Sequence, residues 1–326
     1  MSASVASETQ RSGNPEARVR LTIGLPVYNG ENFLARAIES ILAQTYRDFE
    51  LVISDNGSTD RTREICEHYA ALDARVRYYG YEDNRGAGWN YENVRALARG
   101  TDFFKWASHD DLIAPTFVER TIAALDADPG AVLAFSGVAA IDANDEVTSL
   151  KRRQVEAVAP HSYERFGEVI GTNANPEAIF GVMRVSALAH TRGQGDYIAS
   201  DRILLAELAV QGRFSEVPEI LLYNRDHPAR SVRVTGGNLH QLTAWFAPAK
   251  SEQFAPYFRL WSEYAAAAWH APLPLRERIL CLARLPLFLR GEGRMLARDV
   301  AHLARRILRP WRRPSGETAP VGGAHR

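Results

Sequence analysis

The chain has 326 residues, enough for one large α/β domain with extensions or for two small domains. Its 39 Lys and Arg balance 39 Asp and Glu, so no global basic field points to nucleic acid, and 46% hydrophobic with 24% charged residues describes an ordinary soluble globular protein. Two cysteines far apart, Cys66 and Cys281, exclude a disulfide framework and a zinc pattern and fit a reducing, cytoplasmic setting.

Residues 1–18 are polar, lack the apolar core of a secretion signal and are expected to be disordered. "RLTIGLPVYN" (20–29) reads as a strand ending at Pro26, which cannot donate to a central ladder, and "FLARAIESILAQ" (33–44) carries a helical apolar stripe. "FELVIS" (49–54) is a second strand running into "DNGSTD", where Ser58, Thr59 and Asp60 offer cap chemistry for the helix "TREICEHYAAL". "VRYYGY" (76–81) is a third strand, "NRGAGWN" a glycine-rich loop and "YENVRALARG" a helix. "DFFKWAS" (102–108) is a fourth strand, the helix "TFVERTIAALDA" follows Pro115, and "AVLAFSGVAAI" (131–141) is a fifth strand. Residues 142–178 read as irregular, "IFGVMR" (179–184) as a strand, "DRILLAELAVQG" (201–212) as a helix and "VPEILLYNR" (217–225) as a strand.

Strands alternating with helices predict βαβ units and a mostly parallel sheet flanked by helices. In such sheets ligands sit beyond the C-terminal strand ends. Three loaded segments fall there: Pro26-Val27-Tyr28-Asn29, Asp55-Asn56-Gly57 and His109-Asp110-Asp111. The chain has no Gly-Lys-Ser/Thr loop, no dinucleotide fingerprint and no Gly-x-Ser-x-Gly elbow. Phosphate is then best handled through a carboxylate-held Mg²⁺ or Mn²⁺, for which Asp110 and Asp111 are the candidates. The bland alternative is a helix-cap cluster.

"IGLPVYNGENFLARAIESILAQTYRDFELVISDNGSTDRT" with "KWASHDDLIAP" resembles the catalytic domain of family 2 glycosyltransferases over roughly residues 20–230. The resemblance implies a GT-A fold and an inverting enzyme that moves a sugar from a nucleotide-diphosphate sugar, UDP-sugar by default, to a hydroxyl of a glycan or lipid-linked acceptor. By position, Pro26, Val27, Tyr28, Asn29 and Glu31 would belong to the nucleotide site, with Asp55 and Asn56 near base or ribose, where the family usually has Asp-Asp. The family's first metal-motif acid is Ser108 here. That leaves Asp110 as the metal ligand, Asp111 supporting the motif and His109 on the rim. "GDYIASDRILLAEL" resembles the segment bearing the catalytic base, so Asp201 would deprotonate the acceptor, with Asp196 as backup. Arg225 and His227 would touch the diphosphate.

Residues 19–141 are thus expected to form the nucleotide-binding half and 142–230 the acceptor half of one catalytic domain. A helical extension (231–314) and a disordered tail (315–326) would follow. Within it "LARLPLFLRGEGRMLARDVAHLARRILRPWRRP" (282–314) sets Leu296, Val300, Leu303 and Ile307 on one helical face and Arg298, Arg305 and Arg309 on the other. From residue 290 to 313 there are eight arginines against Glu292 and Asp299. Such a helix suits an anionic membrane surface; the alternatives are packing on the domain or a homodimer contact. No apolar run approaches the roughly 20 residues of a membrane span, so the expected location is cytoplasmic, peripheral on the inner face of the membrane. Two other readings remain. A nucleotidyltransferase would need a basic glycine-rich loop after the first strand, and "PVYNGEN" has no Lys or Arg. A degenerate, non-enzymatic nucleotide binder is motivated by Ser108.

Overall fold

The computed structural model describes residues 18–98, 100–151, 154–172, 176–228 and 255–308. The expected terminal tails, apart from Arg18, and residues 231–254 and 309–314 of the extension, Arg309 among them, lie outside them.

The chain order is β1 (Leu21–Val27), α1 (Leu34–Leu42), β2 (Phe49–Asp55), α2 (Thr62–Leu72), β3 (Val76–Gly80), α3 (Ala87–Ala96), β4 (Phe103–Trp106), β5 (Leu112–Ile113), α4 (Phe117–Ala127) and β6 (Ala131–Ile141). Then come β7 (Val147–Lys151), α5 (Ser162–Ile170), β8 (Val182–Arg184), α6 (Val185–Leu188), α7 (Ser200–Gln211) and β9 (Arg213–Arg225). Three helices close the described chain: α8 (Pro256–His270), α9 (Leu275–Leu282) and α10 (Phe288–Leu308).

Among the described residues one nine-stranded sheet runs β3-β2-β1-β4-β8-β6-β9-β5, with β7 beside β6. The β3-β2-β1-β4 half is parallel, as its βαβ spacing predicts. Beyond it the sheet is mixed, because β8 runs antiparallel between β4 and β6, and β5 antiparallel to β9. Strand alternation sends side chains to two cores. Phe103, Leu51 and Ile53 join α1, α2 and α4 on one face, while Phe104, Trp106 and Val52 join α3, α5, α7 and α8 on the other.

Three expectations change. Residues 142–178 are not irregular throughout: β7 forms a hairpin with β6, and α5 packs against α7. Short β5 escaped notice because two residues carry no readable period. Helix α3 starts at Ala87, absorbing half of the expected glycine-rich loop, since Gly86 takes φ 89° and lets the chain turn directly into the helix. Pro26 is accommodated because β4 pairs with β1 only from Leu21 to Gly24, so its missing N–H breaks no ladder on that side.

Candidate functional site

The C-terminal ends of β1 and β2 are stitched together by their loops. Asn29 has φ 51°, a left-handed conformation that asparagine tolerates. Its backbone N–H donates to Ser58 Oγ at 2.9 Å and its side-chain oxygen accepts from Thr59 N–H at 2.9 Å. Gly30 N–H donates to Thr62 Oγ1, and Glu31 exchanges bonds with Asp60 and the Arg61 amide. Of the three expected cap residues, only Asp60 accepts from the first turn of α2, through Thr62 N–H at 3.0 Å. Ser58 and Thr59 serve Asn29 instead. Gly57 has φ 74°, and a Cβ there would lie 2.8 Å from the backbone of Asp83, so the turn needs glycine.

The paired aspartates are placed by β5. Its antiparallel pairing of Leu112 with Tyr223 carries Asp111 opposite Asn224 and Asp110 opposite Arg225. Asn224 Nδ2 donates to both Asp111 oxygens at 3.1 Å, and Arg225 N–H donates to Oδ1 at 2.8 Å. Asp110 turns the other way. It accepts from the Ser108 hydroxyl, and its Oδ2 lies 3.0 Å from His227 Nε2. Burial opposes ionisation of Asp110, but His109 and the hydrogen bonds from His227 and Ser108 hold its carboxyl well below the usual carboxylate range. The two carboxylates therefore do different work: Asp111 ties the loop to β9, and Asp110 remains an anion at a cavity wall. The adjacent-carboxylate repulsion is met by different partners on each side.

That cavity has a volume of about 360 Å³. Pro26, Val27, Tyr28, Asn29, Asn56, Ser108, His109, Asp110, Asp111 and His227 line it, so most residues singled out in the sequence converge. Sequence reasoning missed Phe33, Asn84, Asn90, Tyr91, Phe180 and Asn224. Asn84 and Asn90 sit in the flagged "NRGAGWN" stretch and Asn224 on β9; the others come from helix and turn segments whose patterns signal only packing. Asn56 Nδ2 reaches Asn84 Oδ1 at 2.9 Å while its own Oδ1 accepts from Arg85 N–H, fixing the rim.

Five expected site residues do not line the cavity. Asp55 is fully buried and accepts from Ser58 N–H and from Tyr78 O–H at 3.0 Å, so it shapes the β2 turn. Glu31 bridges loops. Arg225, expected at the diphosphate, does not line the cavity. Its side chain is 0% exposed, its Nε donates to Asp110 O at 2.7 Å, its Nη1 to Asp142 O at 2.6 Å, and it pairs with Asp145. With its guanidinium 4.7 Å over the Phe33 ring, it buttresses the aspartate loop from behind. Asp196, the backup base, pairs with Arg259 at 3.7 Å.

Asp201 is the second residue of α7, which starts at Ser200 after Ala199, whose φ of 61° is strained for alanine. Burial raises its carboxyl above the ordinary range, against the Arg202 amide and charge and assisted by Glu177. It does not line the cavity itself. Tyr91 does, and Tyr91 lies within electrostatic reach of Asp110, Asp111 and Asp201, which raise its phenol further after burial. The loop before α7 is latched to α3: Glu92 accepts from Gln194 N–H, and Gln194 Oε1 accepts from Ser200 Oγ. Beneath the site Lys105 is buried, donating to Trp106 O and Phe180 O; burial lowers its ammonium to about 7 against the charge of Asp111.

Among the described residues no three His, Cys, Asp or Glu side chains converge into a metal-holding group, and no helix is long and apolar enough to cross a membrane.

The chain is similar to known glycosyltransferases. An uncharacterized glycosyltransferase of Rickettsia typhi is 35% identical over 127 residues, 37% of this chain and 37% of that protein. Glycosyltransferase GlyA of Streptococcus pneumoniae is 34% identical over 101 residues, 31% of this chain and 14% of its own length. The chain thus matches little more than a third, at most, of the length of these two relatives. In structure it resembles S. aureus TarS 1-349 in complex with UDP-GlcNAc, with a TM-score of 0.61 at 14% identity over 88% of this chain and 81% of that one. It also resembles a Pyrobaculum calidifontis mannosyltransferase in complex with GDP-Man and Mn²⁺, with a TM-score of 0.53 at 17% identity over 94% of this chain and 80% of that one. These likenesses establish the GT-A fold. The sequence model of glycosyl transferase family 2 matches residues 22–191, more than half of the chain, and the chain belongs to that family.

Proposed function

We propose that the chain transfers a sugar from a nucleotide-diphosphate sugar to an acceptor hydroxyl with inversion. The observation that carries this is the Asp110–His227 pair on the wall of a cavity at the C-terminal ends of β1 and β4. The nucleoside would lie along Pro26–Asn29 and Asn56, with the diphosphate directed to Asp110. UDP is the default from the resemblance; TarS is described with UDP-GlcNAc and the mannosyltransferase with GDP-Man.

A buried carboxylate held ionised offers a hard oxygen donor, which suits Mg²⁺ or Mn²⁺ completed by substrate phosphates. Asp110 would hold it, with His227 orienting that carboxylate and Asp111 locking the loop. When bound, the cation neutralises charge growing on the departing diphosphate. Asp201 would accept the acceptor's proton as the acceptor oxygen attacks the anomeric carbon and the bond to the diphosphate oxygen breaks. A carboxyl raised by burial is a stronger base than an exposed one, and such a group contributes about 10²–10⁴-fold. Glu31, Asp55 and Arg225 act in this reading by shaping the walls, and Asp196 is a reserve only. The acceptor is a glycan or a lipid-linked sugar.

Titration calorimetry of UDP, GDP and dTDP, with and without Mn²⁺, tests the reading on wild type and Asp110→Ala. Metal-dependent binding of one nucleotide that is lost in the variant supports it. No nucleotide bound under any condition would sink it and leave the aspartates as a loop lock.

A further inference from the structure

The residues of α10 divide by azimuth in a way that assigns its outer face. At 100° per residue, Arg290, Arg294, Arg298 and Arg305 fall within an arc of about 80°. All four are exposed, and none has an ion-pair partner among the described residues. Leu289 and Val300 share another azimuth on the outer side and are 48% and 47% exposed. The two acids of the helix point the other way and are consumed by the domain. Glu292 pairs with Arg202 at 3.4 Å, and Asp299 accepts from Tyr257 N–H at 2.7 Å and Phe258 N–H at 3.2 Å, capping α8.

This corrects the expected division of the helix. Leu296 packs against the core, so it belongs to the docked face, whereas Val300 does not. Docking on the domain and a basic outer face are therefore simultaneous. The domain neutralises nothing on that face; it removes both acids from it. The described helix ends at Leu308, and the sequence continues with Arg309, Arg312 and Arg313 around Trp311.

We propose that the outer face of α10 docks on an anionic lipid surface, arginines on the headgroups and Leu289 and Val300 at the acyl boundary. The chemistry fits that occupant because the positive charge is linear, uncompensated and flanked by apolar side chains, as in helices that lie in a membrane interface. Each arginine near such a surface adds about 1 kcal/mol, roughly five-fold in partitioning. Four of them should then account for several hundred-fold. The proposal does not depend on which sugar or nucleotide the cavity takes.

Sedimentation of the full chain with vesicles tests it, using phosphatidylcholine alone and phosphatidylcholine mixed equally with phosphatidylglycerol. The expected result is binding to the mixed vesicles only, weakened by salt, and reduced at least a hundred-fold (on the order of what four arginines provide) in Arg290→Gln/Arg294→Gln/Arg298→Gln/Arg305→Gln. A second variant, Leu289→Ser/Val300→Ser, should bind more weakly while keeping the salt dependence. Because all six positions are exposed, thermal melts should coincide with wild type; should the arginine variant fail to fold, the Leu289/Val300 variant decides. Absence of binding to mixed vesicles overturns the proposal, as does equal binding to phosphatidylcholine. So does a wild-type dimer that the arginine variant converts to monomer without any vesicle binding, since the face would then be a protein interface.

Discussion

The carboxylate of Asp110 meets His227 Nε2 at 3.0 Å across 117 residues of sequence, while Asp111, its immediate neighbour, faces Asn224 and the Arg225 amide. One strand end therefore receives two adjacent acids in two separate capacities. Asp110→Asn should abolish metal-dependent nucleotide binding with little loss of stability. Asp111→Asn should instead lower stability by about 1–3 kcal/mol, because an amide nitrogen then confronts at least one buried donor, Asn224 Nδ2. Chemical denaturation beside calorimetry on both variants separates them; equal behaviour of the two would contradict the division.

Asp201 predicts a trade of stability for activity. Its folded carboxyl is raised by burial, so between the unfolded and folded values the native state holds more protons. Stability from this group therefore falls as pH rises through that window. Asp201→Asn removes the penalty, so the variant should be more stable than wild type at neutral pH, and the gain should vanish in acid, where Asp201 is protonated. Transfer activity should disappear while nucleotide affinity is kept. In wild type, kcat/KM should climb through a value above the ordinary carboxylate range. An activity profile flat across that range would remove Asp201 as the base.

Arg225 distinguishes a buttress from a ligand contact. Truncation to Ala leaves the Asp110 and Asp142 carbonyls without their buried donor and Asp145 with Arg36 alone, and an unsatisfied buried group costs about 1–3 kcal/mol. Urea melts should register that loss even with no nucleotide present. A variant of wild-type stability with impaired nucleotide binding would restore the diphosphate role.

The latch between α3 and the loop before α7 leaves no room at Gly193, where φ is 74° and a Cβ would lie 2.6 Å from the Glu92 carboxylate. Gly193→Ala should release the loop. Hydrogen exchange at 192–199 should accelerate, and KM for the acceptor should rise while nucleotide binding stays near wild type. Unchanged exchange would mean that the bond from Gln194 N–H to Glu92 does not hold the loop.

Sequence by itself determined the βαβ half of the fold, because strand and helix periods there are long and each apolar stripe meets its own face of the sheet. Cap and turn residues at strand ends likewise marked Pro26–Asn29, Asn56 and Ser108–Asp111 as one rim, since parallel strands must present their C-terminal ends together. Only the tertiary structure decided which residues of that rim face the cavity. The family resemblance implied ligand contacts for Asp55 and Arg225, yet non-local partners (Tyr78 for one, Asp145 and two carbonyls for the other) turn them inward. His227 reached Asp110 through a register set by a two-residue strand that has no period to read. The acids of α10 likewise faced inward for reasons that lie on α7 and α8, not in the helix's own pattern. Periodicity is local and survives in one chain; the choice of partner for a buried charge is made by whichever distant element folding brings within hydrogen-bond reach.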